Sequence, residues 1–255
     1  MASSSGLSAK LNAAKAKVSP SSLPITLATF AIITLVVGAE KHVFTAHKEI
    51  LMRKSPFFEK CLSSGMKESM TNMIHLPTDE SAEFSLILSW IYGDTDLKFT
   101  EANSQKYIET FPKAWLLAQR LCMPDCQDWL IDCMMVWLQS SKVPKNLILW
   151  LLDPDNIDLE YDELKECPLF KLFYDELVWN FQIYDNHPNE DESSRCEFVQ
   201  KLNELTKWWP DCKVSIVQLV YDIGVVSKKQ STEPARKRGC QYHVHPKYEP
   251  CAQKK

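Results

Sequence analysis

The clearest pattern in the chain is a change in hydrophobic period between residues 42 and 62. Residues 42–46 place two β-branched side chains on one face and Phe44 and Ala46 on the other, which is the period of two of a half-buried strand. After this, apolar residues recur at helical spacing, at Ile50, Leu51, Phe57, Phe58, Cys61 and Leu62. Ser55-Pro56 interrupts the helical run, because proline suits a first turn and not a helix interior. The pattern therefore predicts a strand followed by two short helices.

An apolar run at 24–39 precedes this strand and follows three lysines, so it is similar to a signal peptide or a mitochondrial presequence. It is shorter than the ~20 apolar residues that a spanning helix needs. Its second half is β-branched and ends in Gly-Ala-Glu-Lys, a hairpin-like turn. We therefore predict a buried strand at 32–37, with a signal or anchor segment as the alternative.

Further elements follow from the same periods. A third strand is predicted from Met73 and closes at Pro77, and the segment 78–81 offers N-cap side chains for a helix that ends at Tyr92-Gly93-Asp94. Later helical patterns are predicted at 112–138 with a break at Pro124, and at 145–152, 169–184, 195–209 and 213–226. A few strands and many helices predict an α+β fold, with a small sheet and a helical cluster and further helices after them.

Composition narrows the functional classes. The net charge of -4 gives no general basis for nucleic-acid binding, and the six glycines are not spaced as a phosphate-binding loop requires. Neither a GxSxG nor an HExxH motif occurs, so we expect no enzyme. The nine cysteines indicate reduced thiols in the cytoplasm, the nucleus or both, and Cys122, Cys126 and Cys133 are predicted to pack in the core.

Several spaced blocks of residues resemble the BTB/POZ domain over about 30–138. They are His47-Lys48-x-x-Leu51-x-x-x-Ser55-x-x-Phe58, Met66-Lys67-Glu68-Ser69, Ile74-x-Leu76-Pro77, Phe84-x-x-x-Leu88-x-Trp90-Ile91-Tyr92 and Ala118-x-x-Leu121. The whole chain is similar to fungal proteins of this family that carry a helical extension. The resemblance implies a BTB/POZ fold, in which a small mixed sheet packs on a helical cluster and an all-helical extension follows. The residues that define this fold are His47, Leu51, Ser55, Phe58, Leu76 and Tyr92.

This resemblance implies a non-enzymatic module that binds protein partners, and family members commonly homodimerise. Some members recruit a cullin-type ubiquitin ligase through an apolar residue, any residue, then glutamate. Met66-Lys67-Glu68 matches that signature, with Met66 as an apolar anchor and Glu68 as the charge that fixes register. An exposed loop with an incidental glutamate is the alternative. Many dimerising members carry aspartate where this chain has Ile32, so their dimer geometry does not carry over directly.

The resemblance divides the chain into four predicted regions. They are a disordered tail at 1–24, a BTB/POZ domain at 25–139, a helical extension at 140–228 and a basic tail with Cys and His at 229–255. His47 is expected to hydrogen-bond and pack at the start of a helix. A catalytic role is not expected, because no orienting acid stands at a recognisable spacing from it and Ser55.

The basic tail holds the chain's one cluster of metal-ligand types: Cys240, His243, His245 and Cys251. Four such ligands suit structural zinc, and a tail without metal is the alternative. A run of lysine and arginine at 228–238 precedes the cluster and suits a nuclear-import signal or a solvated segment. The functional hypotheses are therefore an interaction scaffold, a cullin adaptor, and a nuclear regulator with a zinc-stabilised tail. We expect no membrane partner and no nucleic-acid partner.

Overall fold

The computed structural model describes residues 31–63, 65–97, 101–139, 166–186 and 240–244, together with Leu147, Trp150, Leu151 and Glu163. The chain divides into two compact units. The first contains the described residues between 31 and 96, those of 113–128 and those of 240–244. The second contains the described residues between 97 and 112 and between 129 and 186. The predicted tail at 1–24 and the predicted helices at 195–209 and 213–226 lie outside the described residues.

The described strands all lie before residue 77, together with three short helices, and only helices follow them. In chain order they are β1 (Ile32–Val37), β2 (His42–His47), α1 (Lys48–Lys54), α2 (Pro56–Ser63), α3 (Lys67–Thr71), β3 (Met73–Leu76), α4 (Ser81–Ile91), α5 (Glu101–Arg120), α6 (Pro124–Leu138) and α7 (Pro168–Asn186). The strands form one sheet in the order β2-β1-β3, with β2 antiparallel and β3 parallel to β1. The predicted α+β class with a small mixed sheet is confirmed.

The sheet of the first unit has one buried and one open face. On β1, Ile33, Leu35 and Val37 are fully buried, while Ile32, the first residue of the strand, is half exposed. The register places Ala46 opposite Ile33 and Phe44 opposite Leu35. Phe44 packs edge-on against Phe84 of α4, with 5.1 Å between ring centroids. The alternation predicted for 42–46 therefore sets which side of β2 meets the helices.

The passage from β2 into two helices is confirmed. α1 begins directly after His47, and Ser55 separates it from α2, whose first residue is Pro56. Leu51 and Phe58 of the predicted apolar stripe are fully buried. The missing N–H of a proline costs nothing at a first helical position, so the sequence break and the structural break coincide.

Two helix starts differ from the prediction. α5 begins at Glu101 and runs through Pro112, so the predicted start at 112 was wrong. The turn before the proline contains the buried Phe111, whose ring stacks on Tyr107 at 5.1 Å, and such contacts offset the lost hydrogen bond. α4 has Glu80 at its N-cap and no side-chain cap bond, so the cap predicted from 78–81 does not form.

One predicted core cysteine is exposed. Cys126 and Cys133 are buried, as predicted, and burial raises the pKa of the Cys126 thiol. Cys122 is instead exposed at the end of α5, where its φ is 55°. Its N–H donates to the Gln119 carbonyl at 3.0 Å, and the Met123 N–H donates to the Ala118 carbonyl at 2.9 Å. This pair of bonds is the Schellman arrangement, in which glycine is the usual residue at the Cys122 position.

Replacing Cys122 with glycine is expected to raise the free energy of unfolding by about 0.5–1 kcal/mol, because glycine adopts positive φ without steric cost. Urea unfolding of the full chain measures the change. Gln119→Gly is the control: it places the same residue inside α5 and should lower stability by about 1 kcal/mol. A loss of stability in Cys122→Gly would contradict the assignment of Cys122 as a strained helix cap.

The described part of the second unit is helical. In α7, the buried apolar side chains are Leu169, Phe170, Leu172 and Phe173, and Phe170 stacks on Tyr174 at 5.7 Å. α7 covers the helix predicted at 169–184. Of the helix predicted at 145–152, Leu147, Trp150 and Leu151 are described and are helical. None of the helices within the described residues is both long and apolar enough to cross a membrane.

Candidate protein interaction surface

The segment 66–73, which we call the methionine segment, joins α2 to β3 and exposes three large apolar side chains. The exposed fractions are 50% for Met66, 74% for Met70 and 38% for Met73. Met66 is the extended N-cap residue before α3, and Met70 lies within this short helix, four residues after Met66. Flexible, polarisable methionines are frequent at protein-binding surfaces. This segment therefore combines the exposure and the chemistry of a binding site.

Hydrogen bonds hold the backbone of the methionine segment. The Met66 carbonyl accepts the Ser69 hydroxyl at 2.7 Å and the N–H groups of Ser69 and Met70 at 3.1 and 3.3 Å. At its other end, Asn72 adopts a left-handed conformation with φ 50°. The Asn72 carbonyl accepts the Thr34 N–H of β1 at 2.9 Å. The segment thus presents its side chains from a backbone that is tied to the sheet.

The predicted pair Met66 and Glu68 occupies the start of α3. Met66 is the extended N-cap residue, and Glu68 lies in the first turn, where the helix dipole favours a carboxylate. Burial raises the pKa of the nearby Cys61 thiol, and the charge of Glu68 raises it further. Glu68 is half buried and Lys67 is exposed. The pair therefore presents an apolar side chain and a charge two positions apart on one fixed turn.

His47 and Tyr92 meet across the first unit. The Tyr92 hydroxyl accepts the His47 backbone N–H at 2.9 Å and lies 2.8 Å from His47 Nδ1, to which its own proton can be donated. The two rings meet edge-on, with 5.9 Å between centroids. This contact joins the end of α4 to the junction of β2 and α1. The resemblance to a family singled out both residues, and they form one polar contact.

Ser55 lies at a fully buried junction between α1, α2 and the end of α5. Its N–H donates to the Leu51 carbonyl and its carbonyl accepts the Glu59 N–H, each at 3.0 Å. Its hydroxyl donates to the Leu121 carbonyl at 2.6 Å and accepts the Phe58 N–H at 3.2 Å. Leu76, also named by the resemblance, is buried in β3. Both residues are buried and are therefore not part of the interaction surface.

Sequence reasoning missed a charged cluster at the start of α4. The buried Asp79 carboxylate pairs with the Arg120 guanidinium of α5, and Glu80 Oε1 lies 3.1 Å from Lys113 Nζ. Burial raises the pKa of Asp79, although the charge of Arg120 opposes this. Burial also raises the pKa of Glu83, whose Oε2 has no hydrogen-bond partner among the described residues. The acidic run 79–83 was the available signal, and its pairing depends on α5.

The tail cluster is described in part. Cys240 and His243 lie within 240–244, whereas His245 and Cys251 lie outside the described residues. The Val244 N–H donates to Asp128 Oδ1 at 2.6 Å, and Tyr242 is buried. Within the described ranges, no three His, Cys, Asp or Glu side chains gather as a metal site requires. The zinc hypothesis stays a prediction, because two of its four residues are not described.

Comparison with known proteins agrees with the geometry of the first unit. A family model described as BTB/POZ domain matches residues 28–130. The matched range contains all three strands of the sheet, the methionine segment and both partners of the contact between His47 and Tyr92. Among curated proteins, none matches the chain.

Proposed function

We propose that this chain, which belongs to the BTB/POZ family through residues 28–130, is a non-enzymatic adaptor that binds a protein partner through the methionine segment. BTB/POZ domains are protein-interaction modules. The observation that carries the proposal is the exposure of Met66 and Met70 on a turn whose backbone is hydrogen-bonded to the sheet. A fixed backbone reduces the conformational entropy lost on binding, and exposed methionines supply the apolar contact.

The position of Met66 and Glu68 favours a cullin-type scaffold as the partner. Met66 is half exposed at the N-cap of α3, and Glu68 follows within the same turn. An apolar side chain that enters a groove on the partner contributes most of the affinity, while a neighbouring charge favours one orientation. In this proposal, the adaptor joins a ligase scaffold to a substrate that is bound elsewhere on the chain.

Replacing Met66 and Glu68 together with alanine is expected to weaken cullin binding at least tenfold, since truncation of a central anchor costs about 1.4 kcal/mol or more. The purified full chain and a cullin N-terminal fragment, measured by calorimetry, give the comparison. Lys67→Ala is the matched control, because Lys67 is exposed between the two residues and should change affinity less than about threefold.

Two results would contradict this proposal. Unchanged cullin affinity in the double variant would exclude Met66 and Glu68 as the contact. Equal losses in the double variant and in Lys67→Ala would indicate a general disturbance of α3. Circular dichroism of all three proteins separates such a disturbance from a lost contact. None of Met66, Lys67 and Glu68 is buried, so a lost contact alone should leave the spectrum unchanged.

The proposed location is the cytoplasm, the nucleus or both. Cys61, Cys122, Cys126 and Cys167 are free thiols, and free thiols suit a reducing compartment. Self-association is also part of the proposed function, since BTB/POZ domains associate with one another. The nuclear-regulator hypothesis depends on the basic run at 228–238, which lies outside the described residues.

A further inference from the structure

β2 is an edge strand of the sheet that the described residues form, and hydrogen bonds show which of its backbone groups face outward. The Lys48 N–H donates to the Ala31 carbonyl at 2.8 Å, so these residues form a hydrogen-bonded pair in the register of the hairpin. Hydrogen-bonded and non-hydrogen-bonded pairs alternate along antiparallel strands. The pairs of Ala46 and Phe44 with β1 are therefore hydrogen-bonded. Val43, Thr45 and His47 direct their N–H and C=O groups away from β1.

Two contacts agree with this assignment. The His47 N–H, which should point outward, donates to the Tyr92 hydroxyl. On β1, Thr34 stands opposite Thr45, and its N–H points to the other side of the strand, where it donates to the Asn72 carbonyl. Tyr92 therefore covers the outer edge at His47. Among the described residues, no backbone partner covers the edge at Val43 or Thr45.

The open part of the edge is exposed and lacks the usual protection. The Val43 side chain is 66% exposed, and Thr45 is exposed as well. Natural proteins protect exposed edge strands with lysine, proline or a bulge. β2 reads His-Val-Phe-Thr-Ala-His and contains neither lysine nor proline, and its pairing with β1 is continuous over all six residues. Such an edge is suited to pairing with another strand.

We propose that β2 pairs with β2 of a second copy of this chain, antiparallel and centred on Phe44. This interface rests on the self-association in the proposed function and gives it a location. In this register, Val43 stands opposite Thr45 of the second copy, and Thr45 opposite its Val43. In each pair, the outward N–H and C=O groups of the two residues face each other. The two pairs together form about four main-chain hydrogen bonds. The two sheets of three strands join into one sheet of six.

Charges at the ends of the strand favour a second copy over an unrelated segment. The two-fold axis at Phe44 places Glu40 of each copy opposite Lys48 of the other copy. The interface therefore contains this pair of opposite charges twice. Glu40 is 82% exposed in the hairpin turn, and Lys48 is half buried at the first position of α1. Opposite charges that face each other across a contact favour one register over its shifted alternatives.

The contact is short, so the dimer is weak. Tyr92 ends the open edge at His47, and the turn at Gly38–Lys41 ends it before His42. A contact well below the usual size of stable interfaces predicts a dissociation constant of roughly 10–100 μM. Sedimentation of the purified full chain, with no other protein present, over roughly 1–500 μM should show reversible conversion of monomer to dimer.

Thr45→Pro tests the backbone contact. Proline removes the outward N–H of Thr45, which has no partner within the described residues, and edge strands tolerate such a change. We expect the dissociation constant to rise at least about tenfold. Thr45→Val is the control, because it keeps the N–H and the β-branched shape, and its dimer should persist. A dimer of equal strength in Thr45→Pro would overturn the interface.

Charge reversal tests the register without altering the strand. Glu40→Lys and Lys48→Glu should each weaken the dimer several-fold, and the double reversal should restore it. Both single variants should keep the fold, since Glu40 is exposed and a glutamate suits the first turn of α1. Failure of the double reversal to restore the dimer would exclude this register. A chain that stays monomeric at all concentrations would exclude self-pairing, while cullin binding through Met66 would be unaffected.

Discussion

Replacing Ser55 with alanine is expected to lower the free energy of unfolding by about 3 kcal/mol. The Ser55 hydroxyl satisfies the Leu121 carbonyl at 2.6 Å and the Phe58 N–H at 3.2 Å in a fully buried position. Loss of the cap on α2 costs roughly 0.5–2 kcal/mol, and a buried carbonyl without a partner costs roughly 1–3 kcal/mol. Chemical denaturation of the full chain, followed by circular dichroism, measures the change.

Ser63→Ala is the matched control for this substitution. The Ser63 hydroxyl also donates to a carbonyl, that of Glu59, but Ser63 is exposed at the end of α2, where water replaces the bond. Its loss should stay below about 0.5 kcal/mol. Equal effects of the two substitutions would show that the buried contact with Leu121 does not hold α5 against α2.

Replacing Arg120 with glutamine is expected to destabilise the chain by about 2 kcal/mol at pH 7. The Asp79 side chain that Arg120 pairs with is only 5% exposed, so the variant leaves a buried carboxylate without its cation. The expected loss is below the roughly 3–5 kcal/mol of a fully buried pair, because the Arg120 side chain is 58% exposed and solvent screens it. Urea denaturation at several pH values measures both the loss and its pH dependence.

The loss should shrink as the pH falls. Burial already holds the pKa of Asp79 above its ordinary value of 3.8, and removal of the Arg120 charge raises that pKa further. The folded state therefore keeps the Asp79 proton to a higher pH than the unfolded chain does. Its stability falls as the pH rises from about 4 through the folded-state pKa, and this fall is steeper in the variant. A loss that is independent of pH would contradict the pairing of Asp79 with Arg120.

Lys113→Gln separates this effect from a general change in surface charge. Lys113 also lies on α5 and pairs with Glu80, the neighbour of Asp79, at 3.1 Å. Both partners are exposed, so the variant should lose less than about 0.5 kcal/mol at any pH. If Arg120→Gln costs more than Lys113→Gln, then burial of the carboxylate, and not the number of ion pairs, sets the stability of the start of α4.

The order of elements around the sheet was predictable because it depends on local patterns. Alternation along 42–46 predicted β2 and its buried face, and Pro56 predicted where α1 gives way to α2. The motif that contains Met66 was also recognisable in the sequence, because it stands between two apolar stripes. These features need only neighbouring residues, whose side chains repeat with the period of a strand or a helix.

Other features needed contacts between residues far apart in the chain. The acidic residues before α4 predicted a helix cap, but Asp79 pairs with Arg120, which lies 41 positions away. Pro124 indicated the end of α5, yet the positive φ of Cys122 and the link from Leu121 to Ser55 follow from packing. Local period therefore determined the strands, the split helix and the motif. Only the tertiary structure decided, for the described residues, which buried polar groups have partners and which edge of the sheet stays open, because these depend on where distant backbone groups meet.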